Sequence, residues 1–410
     1  MKNNLEQAKN AFPVAILFIH LGDNWITGSE SVLLNILKYL PGEKFLPILW
    51  CNSEILCQAA ENIGVTTYRT RFSYFFTPES SRFRLRHYIS LVADCVRLIN
   101  THNIKLIHCN GASPLQWSVP ASIAKNVPIL GYIHSEESRR KRFVFLTHFA
   151  SHLVVLTKQA RQLWLSDGLQ NDRISVVFNG IDECRFLKNE ISSINIPSKQ
   201  RISQIDILQI GSLLKLKGHD LLLEAIAKLI IDKQDVRLFI AGDGPELEAL
   251  TAQAKKLNIA DRVYFLGRIS NPKILYTSVD LMVLPSRSEA FPLVLLEAAY
   301  FAVPVIATRI GGIPEIIIDG VTGKLIEPDS RDALVDAIKE FIDNPFAARS
   351  LAEKSNQQYH QLFQLDAMIN SIICIYETLL STQIHPIVRI LSGLNGLKIK
   401  MSEIIQCCKN

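Results

Sequence analysis

What most constrains the fold of this 410-residue chain is an alternation, sustained along its length, of short apolar runs with longer amphipathic segments. Runs of strand length include Val14–Ile19, Leu106–His108, Ile129–Ile133, Leu153–Leu156, Ile207–Ile210, Arg237–Ala241, Val263–Phe265, Leu281–Leu284 and Val305–Ala307. A strand that is apolar throughout must be covered on both faces, and helices between the strands supply the cover. The pattern therefore predicts parallel sheets in an α/β architecture. The rhythm lapses once, over the polar, proline-bearing stretch Leu187–Gln204. At the usual ~150 residues per domain, a chain of this length makes two or three. The lapse divides it into two similar doubly wound domains, 1–188 and 205–364, with a linker at 189–204. Doubly wound sheets bind ligands beyond the carboxyl ends of their strands, so the cleft between the two domains is where chemistry is expected.

Hydrophobic residues make up 48% and charged residues 20%, which excludes a mostly disordered, collagen-like or coiled-coil chain. No run approaches the ~18 apolar residues of a membrane span. Phe12–Ile19 is only strand length and lacks a small-residue cleavage site after it, so no signal peptide is expected. The eight cysteines show no ligand spacing and read as reduced, mostly buried thiols of a cytoplasmic protein. The net charge of +5 is uneven: residues 1–190 carry 21 basic against 15 acidic side chains, and the remainder is close to neutral. The first half is therefore expected to meet something anionic.

Four strand-to-helix turns in the second half carry the informative residues. Pro285-Ser-Arg-Ser-Glu289-Ala-Phe-Pro-Leu-Val-Leu-Leu-Glu297 places one carboxylate in the loop after an apolar strand and another on the following helix. Two such carboxylates reach different hydroxyls of one ligand, and the N–H groups at the helix start hold a phosphate between them. The alternative is that Glu289 caps the helix and Glu297 is a solvated acid. Gly211-Ser-Leu-Leu-Lys215-Leu-Lys217-Gly218 sets cations at a helix N-terminus, as diphosphate binding requires, although lysine-bearing loops also occur without that role. Ala241-Gly-Asp-Gly244 contains GxG, but Leu247 stands where a dinucleotide fingerprint needs its third glycine, so a tight turn is the better reading. In Gly311-Gly312-Ile-Pro314-Glu315 the glycines read as backbone geometry and Glu315 as a first-turn acid.

Together these stretches resemble the family-4 retaining glycosyltransferases of GT-B fold. The resemblance rests on GSLLKLKG (211–218), AGDGPELEAL (241–250), DRVYFLGRI (261–269), LPSRSEAFPLVLLEA (284–298) and ATRIGGIPEIIIDGVTGKLIEP (307–328). In the first half it rests on Thr27-Gly28-Ser29-Glu30, on the strand-tip segment Gly131-Tyr-Ile-His134-Ser, and on Phe178-Asn179-Gly180-Ile181-Asp182 before the linker. The resemblance implies two Rossmann-like domains facing a central cleft and transfer of a sugar from a nucleotide-diphosphate donor to an acceptor hydroxyl with retention. It also implies a hinge at the linker, and a helix near Leu365–Leu380 within 365–410 that crosses back to the first domain. By the same resemblance Lys217 stabilises the departing diphosphate, and Glu289 binds the sugar hydroxyls with the N–H groups of Phe291 and Leu293. Glu297 then binds the ribose, His134 faces the donor sugar, Gly28 admits phosphate or acceptor, and Ile269 lines the base pocket. Ser212 departs from the pattern, because the family usually has Arg there; either a neighbouring cation such as Lys215 compensates, although a flexible ammonium does not reproduce a bidentate guanidinium, or leaving-group stabilisation is weaker.

The chain has no Asp-x-Asp and no metal-ligand spacing, so neither metal nor cofactor is expected, and lysine with helix N-termini is expected to handle the diphosphate. A nucleotide-sugar epimerase of the same fold and a non-catalytic nucleotide-sugar-binding subunit are the rival readings. Arg69-Thr-Arg71-Phe-Ser-Tyr-Phe-Phe76, Arg82-Phe-Arg84-Leu-Arg86-His-Tyr88 and Arg139-Arg-Lys-Arg142 interleave or cluster cations in the basic half. Nucleic acid is not expected, since no recognition motif accompanies them. Their pattern suits peripheral docking on an anionic inner membrane face and a lipid-linked or glycan acceptor, with ordinary solvated arginines as the alternative.

Overall fold

The computed structural model describes residues 12–382 except 24, 73–84, 188–196, 198, 200 and 202, together with residue 393. The chain divides into two compact units: Met1–Phe178 with Asp366–Asn410, and Asn179–Leu365. Each is an α/β layer structure on one parallel sheet, as the apolar runs predict.

The first sheet comprises β1 (Val14–His20), β2 (Phe45–Cys51), β3 (Thr66–Arg69), β4 (Leu106–Asn110), β5 (Ile129–Ile133), β6 (His152–Val155) and β7 (Ile174–Val176). Their order is β3-β2-β1-β4-β5-β6-β7, all neighbours pairing in parallel. Every residue of β4 and β5 is buried, which explains why these runs show no polar alternation. The helix Leu85–Thr101 covers the sheet with Leu91, Cys95, Leu98 and Ile99, residues spaced to fall on one side of a 3.6-residue turn. From Asp366 onward the helix Leu365–Ser381 belongs to this unit and buries Met368, Ile369, Ile372, Tyr376 and Leu379. The Tyr376 hydroxyl and His108 Nδ1 share a 2.5 Å hydrogen bond, and Lys44 pairs with Glu377 at 3.1 Å.

The second sheet comprises β8 (Ile205–Ile210), β9 (Val236–Ala241), β10 (Val263–Gly267), β11 (Leu281–Leu284), β12 (Val305–Thr308) and β13 (Lys324–Ile326), ordered β10-β9-β8-β11-β12-β13. The unit begins at Asn179, ahead of the polar stretch, and its two chain ends lie side by side: Ile181 bridges to Gln364, and a Cβ on Gly180 would stand 2.5 Å from the Leu365 Cα. Most of the 189–204 linker lies outside the described residues.

Strand order reverses once in each sheet, between β1 and β4 and between β8 and β11. At such a point the connections leave in opposite directions and open a crevice beyond the carboxyl ends. The loops after these strands carry the candidate residues.

Candidate functional site

In the second unit, the loops after β8 and β11 meet. Lys217 ends a 3₁₀ turn (Lys215–Lys217) whose carbonyl accepts from the buried Gln209 amide of β8 at 2.9 Å. Its Nζ donates to Glu289 Oε1 at 2.6 Å, and the Ser286 hydroxyl donates to the same oxygen at 3.0 Å. The Glu289 side chain is only 9% exposed, so it does not cap the next helix; Pro292 occupies that position without a side-chain cap. The ammonium–carboxylate pair is therefore presented at the switch point, and among the described residues both of these hydrogen bonds go to Glu289 Oε1.

Two backbone devices hold these loops. Gly218 has φ +69° and approaches β11 so closely that a Cβ would lie 2.0 Å from the Pro285 carbonyl oxygen. Gly242 (φ +146°) sits equally close to Gly211, and Leu213 N–H donates to Asp243 O at 2.9 Å. The GxG glycines thus serve backbone contact between the tips of β8 and β9, in line with the tight-turn reading. Arg287 adds a strap: it donates to Asp220 through two bonds (2.7 and 2.9 Å), to Asp329 at 2.6 Å and to Lys215 O at 2.6 Å. His219, neutral because burial lowers its pKa to about 4, donates from Nε2 to Ser212 O at 3.1 Å. Ser212 and Lys215 are themselves exposed, and Lys217 alone of the three reaches Glu289.

Glu297 is 5% exposed on the helix Leu293–Tyr300, which overturns the solvated-acid alternative. Its Oε2 accepts from the buried Tyr276 hydroxyl at 2.9 Å, and its Oε1 pairs with the Arg185 guanidinium. Burial, with the adjacent Glu297 charge, pushes the Tyr276 phenol well up, so it remains a donor. Arg185 stacks on Phe186, which packs between Tyr300 and Phe301, and Glu183 of the same turn accepts from Tyr359 at 2.6 Å. Both carboxylate oxygens keep further lone pairs for a ligand. Phe291 is buried just before this helix, Leu293 opens it, and Ile269 lies half-buried in the loop after β10. The N–H of Leu293, as a first-turn donor, has no intrahelical acceptor.

In the first unit His134 follows β5, and its Nε2 donates to Asn110 Oδ1 at 2.7 Å. Asn110 ends β4 and touches His20, the last residue of β1, which meets Glu30 at 2.7 Å. Gly28 opens the helix Gly28–Tyr39 in exposed surroundings. The glycine under steric demand is Gly22, where a Cβ would stand 2.4 Å from His20 Nε2 and 2.5 Å from Glu30 Oε1. The family resemblance singled out Gly28, and nothing in the sequence signalled Gly22, His20, Asn110, Arg185 or Tyr276. Lys217, Glu289 and Ser286 meet in one cluster and Glu297, Arg185 and Tyr276 in another within the second unit; His134 and Gly28 belong to the first.

Of the basic tracts, Arg71, Arg86, Arg139 and Arg140 are exposed, whereas Arg142 is not. Arg142 is 5% exposed, its Nε donating to Asp167 at 2.5 Å, and Arg139 stands 3.6 Å from the same carboxylate. Arg69 pairs with Glu54. Residues 73–84, including Arg82 and Arg84, lie outside the described residues. Among the described residues no group of three His, Cys, Asp or Glu is placed to hold a metal, and no helix is long and apolar enough to cross a membrane.

Two protein-family models match the chain: one described as Glycosyltransferase Family 4 over residues 26–185, and one as Glycosyl transferases group 1 over residues 159–358. The N-acetyl-alpha-D-glucosaminyl L-malate synthase of Bacillus anthracis is 34% identical over 206 residues, covering 50% of this chain and 54% of that protein. A D-inositol 3-phosphate glycosyltransferase of Mycolicibacterium smegmatis is 34% identical over 236 residues, covering 54% of this chain and 52% of its own. The chain thus spans about half the length of these curated relatives. Among solved structures, HepE of Anabaena in complex with UDP and glucose superposes with a TM-score of 0.74 at 22% identity over 90% of this chain and 99% of its own. A glycosyltransferase from Rickettsia africae ESF-5 gives 0.75 at 19% identity with the same coverage. At these identities the structural likeness establishes the shared fold.

Proposed function

The chain belongs to the family-4 glycosyltransferases of GT-B fold, and from that premise we propose that it moves a sugar from a nucleotide-diphosphate donor to an acceptor hydroxyl with retention at the anomeric carbon. The observation that carries this reading is the Lys217–Glu289 pair at the β8/β11 switch point, with Glu297 held one helix turn beyond. The bond between the anomeric carbon and the β-phosphate oxygen breaks, leaving an oxocarbenium-like sugar. The acceptor oxygen bonds to the same face of that carbon, and its proton passes to the departing phosphate oxygen. Lys217 offsets the charge growing on that oxygen, an interaction stronger in the transition state than in the ground state. Glu289 Oε2 takes a sugar hydroxyl with the N–H groups of Phe291 and Leu293, Glu297 takes the ribose, and Ile269 borders the base. Ser212, where the family usually has Arg, leaves Lys217 as the principal cation on the diphosphate.

The names of two relatives contain anions, L-malate and inositol 3-phosphate, and the excess positive charge of residues 1–190 fits an anionic acceptor. This reading puts an anionic acceptor, soluble or lipid-linked, ahead of docking on a membrane surface. UDP-sugars are the donors to test first, since HepE is described in complex with UDP and glucose. Purified full-length chain is expected to release nucleoside diphosphate from one donor in the presence of an acceptor, with the product α- or β-configured as the donor was. Excess chelator is expected to leave the rate unchanged. Turnover of the donor with no acceptor and no product sugar transferred would indicate epimerase chemistry; binding without turnover would indicate a binding subunit. Loss of rate in chelator, restored by manganese or magnesium, would overturn metal independence.

The environment of Glu297 makes a separate expectation. Tyr276→Phe and Arg185→Ala each loosen the carboxylate while leaving it in place, so donor KM is expected to rise roughly three- to tenfold with kcat within about twofold, the pattern of binding shared by ground and transition states. A kcat loss without a KM change would show that Glu297 does not hold the ribose.

A further inference from the structure

We propose that Asn110 is a positioning residue: it locks His134 in the tautomer protonated at Nε2, so that His134 Nδ1 meets a substrate hydroxyl as a hydrogen-bond acceptor. The part concerning substrate rests on the transferase reading above; the lock itself is a property of the free protein.

Asn110, His20 and His134 stand at the carboxyl ends of three neighbouring strands, β4, β1 and β5, beside the switch point of the first sheet. Asn110 is 1% exposed, so every polar atom it carries needs a partner inside the protein. Its Nδ2 donates to the Ser29 carbonyl at 3.3 Å and lies 3.0 Å from His20 Nδ1. A backbone carbonyl only accepts, and this decides which way the amide faces; turned over, the amide would set two oxygens against each other. Oδ1 therefore faces His134 Nε2 at 2.7 Å, and because an amide oxygen also only accepts, the hydrogen belongs on Nε2. Burial, reinforced by His20, lowers the His134 pKa to about 3 against an opposing pull from Glu30. The ring is neutral at ordinary pH and Nδ1 keeps its lone pair.

The rest of the cluster explains why Asn110 cannot drift. His20 is held at both nitrogens: Nε2 donates to Glu30 Oε1 at 2.7 Å, and Nδ1, 2.9 Å from the Asn110 carbonyl, accepts from Asn110 Nδ2 at 3.0 Å. Glu30 in turn accepts from Thr27 N–H at 2.9 Å and from the Ser29 hydroxyl at 3.1 Å. Burial works to raise its pKa, but the His20 and Thr27 hydrogen bonds and the His20 charge prevail and bring it to about 2. The capping-box carboxylate of the helix Gly28–Tyr39 therefore has a second task, anchoring His20, and the absence of a Cβ at Gly22 makes room for the pair. Hydrogen bonds linked in series polarise one another, and this series runs from Glu30 through His20 and Asn110 to His134. The titratable groups facing His134 are His20, Glu30, His108 and Tyr132.

Nitrogen NMR of isotope-labelled histidine in the full-length, ligand-free chain tests the lock, with His134 assigned by its loss in His134→Gln. The wild type is expected to show a protonated Nε2 and an unprotonated Nδ1 over roughly pH 5 to 9. In Asn110→Leu, which removes both the acceptor and the donor, the two tautomers are expected to mix. Asn110→Asp keeps an acceptor and adds a charge, so the Nε2 hydrogen is expected to stay while the ring titrates at higher pH; this variant carries the test if the leucine variant does not fold. A hydrogen on Nδ1 in the wild type, an unchanged tautomer in Asn110→Leu, or an unmoved titration in Asn110→Asp would overturn the lock. In turnover, Asn110→Leu is expected to lower kcat about tenfold with donor KM nearly constant, and to cost nothing further in a His134→Ala background. Independent losses in the double variant would show that Asn110 does not act through His134. Absence of transfer by the wild type with every donor would sink the transferase reading and the hydroxyl contact, and the NMR result would still decide the lock.

Discussion

Replacing Lys217 by alanine is expected to lower kcat by about 10²–10³-fold while donor KM changes little, the loss typical when one preorganised donor to a developing oxyanion is removed. The reason lies in where the ammonium is held. It stands 2.6 Å from Glu289, on a 3₁₀ turn tied to Gln209 of β8 and strapped by Arg287, so it needs no reorganisation when charge develops on the leaving oxygen. Ser212 and Lys215 are exposed and do not reach Glu289, so nothing equivalent steps in. Glu289→Gln keeps the shape and removes the charge; it is expected to impair kcat less than Lys217→Ala, because an amide still accepts from the ammonium. Steady-state kinetics with the preferred donor decides the matter. A Lys217→Ala enzyme within threefold of wild-type kcat would remove lysine from the chemistry altogether.

Why Lys217, Glu289 and Glu297 were legible in the sequence, and their supports were not, follows from the kind of information each leaves. Lys217 and Glu289 lie in turns that directly follow apolar strands and Glu297 on the helix after the second turn, and a strand-to-helix turn advertises itself locally through glycine, proline and the change of hydrophobic period. Arg185 and Tyr276 bond to Glu297 from separate segments of the chain, and His20 meets Asn110 across ninety residues. Such pairs exist only after the strands are ordered, and periodicity does not order strands. The same limit hid one residue of a basic tract: Arg139 and Arg140 are exposed as a solvated face would be, but Arg142 is buried, and arginine is rarely buried unless paired. The partner, Asp167, is twenty-five residues away and sits on the far end of the next helix, so the burial of Arg142 left no local sign. Gly28 drew notice for its place in a motif, whereas Gly22 is the position where a side chain would collide with the His20–Glu30 pair.

Gly218→Ala is expected to damage the enzyme as much as the loss of a functional side chain, although residue 218 offers no side chain to a ligand. Two costs combine there. The backbone has φ +69°, in the left-handed region that penalises a Cβ by about 1–2 kcal/mol. The added Cβ would also stand 2.0 Å from the Pro285 carbonyl oxygen, a backbone atom at the tip of β11 that has no rotamer to escape into. One of the two loops must therefore move, and they are the loops that carry Lys217 and Glu289. A displacement on the order of 1 Å at a reacting centre costs up to about 10²-fold in rate. Gly320→Ala separates the two costs, because Gly320 has φ +70° with no atom within 4 Å of the added Cβ. That variant is expected to lose only the conformational term in urea unfolding and to keep wild-type kcat. Gly218→Ala is expected to lose more stability and most of its turnover. Equal unfolding midpoints and equal kcat in the two variants would mean that the loops after β8 and β11 do not meet as tightly as the Gly218–Pro285 approach requires, and the Lys217–Glu289 pair would lose its structural basis with them.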